Sequence, residues 1–184
     1  MDSVYANYEA KMKKSVESLQ NEFNSLRTGR ASASLFDKVR VDCYGEQTPL
    51  NQVASISIPE ARLVVIQPWD KNLLADIEKA IMKSELSLNP SNDGKVIRIS
   101  IPPLTDERRA DIVKQAKSTA EKTRVSIRNL RRDGIDEAKK MQKDGNLSED
   151  ELKVAGDKFQ TMTDKFIAEI NKILEEKEKE ILEG

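Results

Sequence analysis

Three stretches of this sequence carry apolar residues at alternating steps of three and four, and a segment of different pattern separates the first stretch from the other two. The first stretch runs Tyr5, Tyr8, Met12, Val16, Leu19, Phe23, Leu26, with no Gly or Pro between Tyr5 and Leu26. Such spacing puts all of these side chains on one helical face. A helix with a single apolar face has to bury it against other elements. Gly is favoured just past a helix end, so this helix is predicted to end near Thr28-Gly29.

From Lys38 to Ile101 the period changes. Val39 to Cys43 alternates, Tyr44 to Pro49 reads as a turn, and Ala54–Ile58 and Leu63–Gln67 are short β-like runs. Leu73, Leu74, Ile77, Ala80 and Ile81 return to helical spacing. Asn89 to Gly94 is dense turn chemistry, and Ile97, Ile99 and Ile101 alternate again. A small α/β unit of about four strands and one helix is predicted here.

Pro102-Pro103 stops the last strand, and Thr105 is placed to cap a second long helix, with Asp106 and Glu107 in its first turn. Its apolar face runs Val113, Ala116, Ala120, Thr123, Ile127, Leu130, Gly134, Ala138, Met141. Asp144-Gly145-Asn146 breaks it, and Ser148 to Glu151 forms a capping box for a third helix. That helix presents Leu152, Ala155, Phe159, Met162, Phe166, Ile170, Ile173 and Ile181. The second and third helices each span roughly 37 residues, about 55 Å at ~1.5 Å per residue.

The expected fold is therefore α+β: an elongated antiparallel three-helix bundle, discontinuous in sequence, with a small α/β sandwich-like domain inserted between helices 1 and 2. Residues 1–29 and 105–184 form the bundle and 32–102 the small domain. The connections near 28–32 and 101–104 would serve as hinges.

Net charge is −1 over 184 residues, so the whole chain does not attract nucleic acid. The distribution is polarised, however. Thr105 to Lys143 holds twelve Lys and Arg against seven Asp and Glu, a balance of +5. Leu147 to Gly184 holds six against eleven, a balance of −5. Lys117, Arg124 and Arg131 recur every seven residues and border the apolar face; Lys114 and Arg128 lie one stripe further out, and Arg132 beyond them. Two readings stay open. The arginines pair with the acidic third helix across the seam, or they face outward as a phosphate-binding ridge, for which the planar guanidinium fork is suited. With only 4% aromatic residues, recognition would rest on phosphate and shape, as is usual for structured RNA.

Several chemistries are excluded. The chain has no histidine, hence no histidine base or metal ligand, and Cys43 has no histidine to activate it. Cys43 alternates with Val39 and Val41, as a small strand residue would, and a lone cysteine fits a reducing compartment. No phosphate-binding or dinucleotide Gly-rich loop occurs. No catalytic residue, cofactor or metal is expected. No apolar run approaches the ~18–20 residues of a membrane span, and Met1 to Tyr5 begins acidic and polar, so a cytoplasmic protein is expected.

Several blocks in collinear order resemble the ribosome recycling factor family. They are Arg27-Thr28-Gly29-Arg30-Ala31-Ser32, Thr48 to Ile56, Ile66 to Lys71, Leu86 to Gly94, Pro102 to Arg109, and Arg128-Asn129-Leu130-Arg131-Arg132-Asp133. Cys43 stands where many members carry an aromatic residue, and Gly134 weakens the second helix by ~1 kcal/mol relative to Ala.

The resemblance implies a monomeric, non-enzymatic factor that works with elongation factor G and GTP on the post-termination 70S ribosome, splitting the subunits. It also implies that Arg128, Arg131 and Arg132 contact large-subunit (50S) ribosomal RNA, with Arg109 beside Arg108 as further candidates. Arg124 and Lys117 complete the candidate RNA face. Arg27, Thr28, Gly29 and Arg30 would form one hinge strand, and Pro102, Pro103 and Leu104 the other. A coiled-coil adaptor would explain the heptads but not the inserted unit. A general RNA chaperone would bind free RNA rather than prefer ribosomes.

Overall fold

The computed structural model of the protein describes residues 1–26, 28–86 and 88–183. It is an α+β fold whose chain divides into two compact units, Met1–Leu26 with Ala110–Glu183, and Arg27–Arg109. In chain order the elements are α1 (Asp2–Asn24), β1 (Arg40–Cys43), β2 (Glu46–Pro49), β3 (Ala54–Glu60), β4 (Leu63–Pro68), α2 (Leu74–Lys83), β5 (Pro90–Asn92), β6 (Ile97–Ser100), α3 (Asp106–Lys143) and α4 (Glu149–Glu183).

In the helical unit, α1, α3 and α4 pack their apolar faces together. Met12, Val16, Leu19 and Phe23 of α1 join Ala116, Ala120 and Ile127 of α3 and Phe166 and Ile170 of α4 in one core. Tyr8 near the start of α1 donates its hydroxyl proton to Glu137 near the end of α3, at 2.7 Å. Tyr5 and Tyr8 also meet the Phe159 ring, near the start of α4, at centroid distances of 5.3 and 5.5 Å. So α1 runs antiparallel to α3 and parallel to α4. The caps read from sequence are formed: the Arg108 N–H donates to Thr105 Oγ1 at 3.1 Å, and the Glu151 N–H to Ser148 Oγ at 3.0 Å.

Small side chains on α3 let the helices approach. Ala116, Ala120 and Ala138 are fully buried, and Phe159 fills the space over Gly134. Two core positions differ from the expected register. Ile112 is buried where Val113 is only half-buried, and Lys177 of α4 sits in the core, reaching Glu180 at 3.2 Å. A lysine can hold a core position by burying its methylene stem while its ammonium stays near the surface.

The end of α1 also differs from the sequence reading. The helix stops at Asn24, not near Gly29. Ser25 turns its hydroxyl back onto the Glu22 carbonyl at 2.7 Å, and the Ser25 and Leu26 N–H groups take three-residue hydrogen bonds that tighten the last turn.

The small unit holds an antiparallel hairpin, β1–β2, and a four-stranded antiparallel sheet in the order β3-β4-β6-β5. Val64, Ile66, Ile97 and Ile99 point from the sheet into a core shared with Ile77 and Ile81 of α2 and with Phe36, Val41 and Leu50. Strands β2 and β5 were expected as turns. Both are short and polar, and each lies at a sheet edge, where a proline is tolerated because a missing N–H costs no ladder bond. Both ends of the unit are fastened to one turn. The Ala31 N–H donates to the Ala61 carbonyl at 2.7 Å, and the Ile101 N–H to the Arg62 carbonyl at 2.8 Å.

Candidate nucleic-acid interface

The basic residues of α3 are carried by one unbroken 38-residue helix, so their spacing is fixed by helical geometry. Along the seam with α4 they meet three partners. Lys117 Nζ lies 3.9 Å from Glu178, which is at the limit of an ion pair. Arg124 Nε donates to Asn171 Oδ1 at 2.9 Å. Arg131 Nη1 donates to Gln160 Oε1 at 2.9 Å, and Gln160 in turn donates to Asp164 at 2.8 Å.

These contacts answer part of the question left open by the sequence. The cross-seam acceptors of Arg124 and Arg131 are amides, not carboxylates. A neutral amide fixes the direction of a guanidinium without cancelling its charge, and it leaves most of the five N–H donors available.

Arg128 lies further out and pairs within its own helix, not across the seam. Its Nη1 donates to Glu121 Oε1 at 3.2 Å, while Arg124 Nη1 takes the other oxygen of the same carboxylate at 2.8 Å. The hydrogen bonds from Arg124 and then Arg128 hold the Glu121 carboxyl below the usual carboxylate range. Arg132 is exposed and makes no side-chain hydrogen bond or ion pair among the described residues. The same holds for the guanidinium of Arg108, in the first turn of α3, whereas Arg109 beside it is half-buried.

Helix α3 therefore brings Lys117, Arg124, Arg128, Arg131 and Arg132 onto neighbouring stripes, with Arg109 near its start. Glu121, Asn171 and Gln160 were not singled out from sequence. Glu121 was legible in principle, since it stands three residues before Arg124 and seven before Arg128. The two amides depend on the register between α3 and α4, which spacing within one helix does not give.

The residues expected at the first connection differ in environment. Thr28 is buried, Gly29 is buried with φ +79°, and Arg30 is exposed. Arg27 lies outside the described residues. In the second connection Pro102 and Pro103 are exposed and Leu104 is half-buried. A Cβ on Gly29 would lie 3.3 Å from Leu104 Cγ, so the two connections touch at this point.

Comparison with known proteins assigns the family. Residues 19–182 match the family model described as ribosome recycling factor. The ribosome-recycling factor of Treponema denticola is 69% identical over 184 residues, covering 100% of both chains. A solution structure of the ribosome recycling factor aligns with a TM-score of 0.77 at 44% identity, covering 100% of this chain and 97% of that one. A second structure aligns with a TM-score of 0.65 at 48% identity, covering 98% of each chain. It models the T. thermophilus ribosome recycling factor and E. coli elongation factor G bound to the E. coli post-termination complex. With the family model covering most of its length, and with a fold shared from end to end, the chain belongs to the ribosome recycling factor family.

Proposed function

We propose that this protein splits the post-termination ribosome into its subunits together with elongation factor G and GTP, and that the basic face of α3 anchors it to large-subunit ribosomal RNA. The observation that carries the anchoring role is the retained charge of that face. Arg131 is oriented by an amide, and Arg132 has no side-chain partner among the described residues. On a rigid helix Arg131 and Arg132 can meet phosphates at fixed spacing without first breaking an ion pair among the described residues. Arg124, Arg128 and Lys117 extend the face, and Arg109 marks its beginning.

In this reading the protein performs no bond chemistry and works as a monomer in the cytoplasm. GTP hydrolysis belongs to elongation factor G. The helical unit supplies stiffness, since three long helices packed face to face resist bending. The connections at 28–32 and 101–104 are the hinges about which the small unit, residues 32–102, moves when elongation factor G engages it. The amide-held arginines then act as the fixed end of a lever.

The test is light scattering of 70S post-termination complexes mixed with the full chain, elongation factor G and GTP. Splitting that requires all three supports the reading. Undiminished splitting without the protein, or none with it, contradicts it.

A further inference from the structure

Glu121 is the single acidic residue between Asp111 and Asp133, a stretch that also holds seven lysines and arginines. Its position within that stretch is not incidental. One carboxylate oxygen accepts from Arg124 at 2.8 Å and the other from Arg128 at 3.2 Å. Both oxygens of one side chain are thus spent on two members of the cationic face. The side chains of Arg128 and Glu121 are 40% and 53% exposed, so water reaches the cluster and a phosphate can as well. Exposed ion pairs of this kind add little to folding stability. A role in holding the helix together therefore gives a weak account of this arrangement.

We infer that Glu121 is an internal counterion that occupies Arg124 and Arg128 in the free protein and competes with phosphate for Arg128, setting how readily the factor lets go of RNA. The inference rests on the anchoring role proposed above. A carboxylate and a phosphate oxygen ask for the same donors in the same geometry. When RNA arrives, Arg128 exchanges one anion for another, and Glu121 is left beside Arg124. When RNA leaves, Glu121 is already in place to recapture the guanidinium. The exchange lowers net affinity but makes release less costly, which suits a factor that must leave the large subunit after each round. Arg131, held by an amide, and Arg132, with no side-chain partner among the described residues, lack such a competitor and supply the standing attraction.

The experiment measures binding and dissociation of the full-length protein with isolated large ribosomal subunits across a salt series. It compares wild type with Glu121→Gln, Arg128→Ala, Arg132→Ala and the double variant Glu121→Gln/Arg128→Ala. Glutamine keeps the shape and helix preference of glutamate, and Glu121→Ala with circular dichroism guards against a folding artefact. Glu121→Gln is expected to bind about five- to tenfold tighter near 0.1 M salt, mainly through slower release, and with a steeper salt dependence. In the double variant most of that gain should vanish.

Wild-type or weaker binding by Glu121→Gln, with Arg128→Ala and Arg132→Ala both weakened, would overturn the inference while leaving the anchoring role standing. A gain that persists without Arg128 would also overturn it, because the effect would then be general charge. If neither arginine variant weakens binding, the anchoring role itself fails and the inference fails with it. Multiple-turnover splitting gives a second readout. Glu121→Gln should slow repeated rounds more than the first round, and equal effects on both would count against control of release.

Discussion

A Cβ placed on Gly134 of α3 would lie 2.6 Å from Cε1 of Phe159 on α4. Phe159 is fully buried, with Tyr5 and Tyr8 of α1 packed against its ring, so it has no direction in which to yield. The glycine that looked like a flaw in the second helix is the notch that admits the fully buried ring of Phe159.

Gly134→Ala should therefore destabilise the protein despite improving helix propensity. The propensity gain is ~1 kcal/mol, whereas overpacking a filled core costs typically ~1–3 kcal/mol. A net loss of about 1 kcal/mol is expected in urea unfolding. Phe159→Leu added to Gly134→Ala should cost less than the two single losses combined, since the smaller side chain relieves the clash.

Gly29→Ala should cost more than Gly45→Ala. Both glycines have positive φ, +79° and +90°, but only Gly29 has a neighbour, Leu104 Cγ, in the path of a new Cβ. Backbone strain alone is ~1–2 kcal/mol at either site. Denaturant unfolding of the two variants isolates the Leu104 contact as their difference, and equal losses would show that Leu104 gives way.

The Tyr8 hydroxyl is pushed up to about 12 by burial first, then by its hydrogen bond to Glu137 and nearby carboxylates. The folded value lies above the ordinary value of 10.0, so folding favours the neutral phenol. The associated stability is present below pH 10 and is lost as the pH rises toward 12. The comparison is with Tyr8→Phe, which removes this hydroxyl alone. The wild type should lose more stability than the variant between these pH values, and parallel curves would argue against the shift.

Arg132→Ala should weaken binding to large subunits roughly tenfold and lower the salt dependence by about one phosphate contact. It should leave unfolding stability within ~0.5 kcal/mol, as expected for an exposed side chain with no partner among the described residues. Arg124→Ala should affect both, since Arg124 is only 18% exposed and bridges α3 to Asn171 of α4.

Periodicity made the three long helices legible because each buries one continuous face, and Met12, Val16, Leu19, Phe23, Ala116, Ala120, Phe159, Phe166 and Ile170 all lie where their spacing puts them. It failed where a residue has two natures. Lys177 buries its stem in the core while hydropathy counts only its charge. Strands β2 and β5 were invisible because edge pairing is a backbone matter that polar and proline-containing segments can satisfy. In the candidate site the arginines were legible from composition and a seven-residue repeat. Their orientation by Asn171 and Gln160, and the double use of Glu121, depend on side-chain reach across or along helices that spacing leaves open.

The claim that most depends on this geometry is that the guanidinia of α3 grip ribosomal RNA while the rest of the molecule transmits force. It is tested most directly by subunit splitting in the presence of elongation factor G and GTP, with Arg131→Ala/Arg132→Ala measured beside wild type. A loss of roughly a hundredfold at limiting factor is predicted from removing two phosphate contacts, with helicity nearly unchanged and stability lowered by no more than about 1 kcal/mol, that of the lost Arg131–Gln160 hydrogen bond. Splitting at the wild-type rate by this double variant would contradict the account.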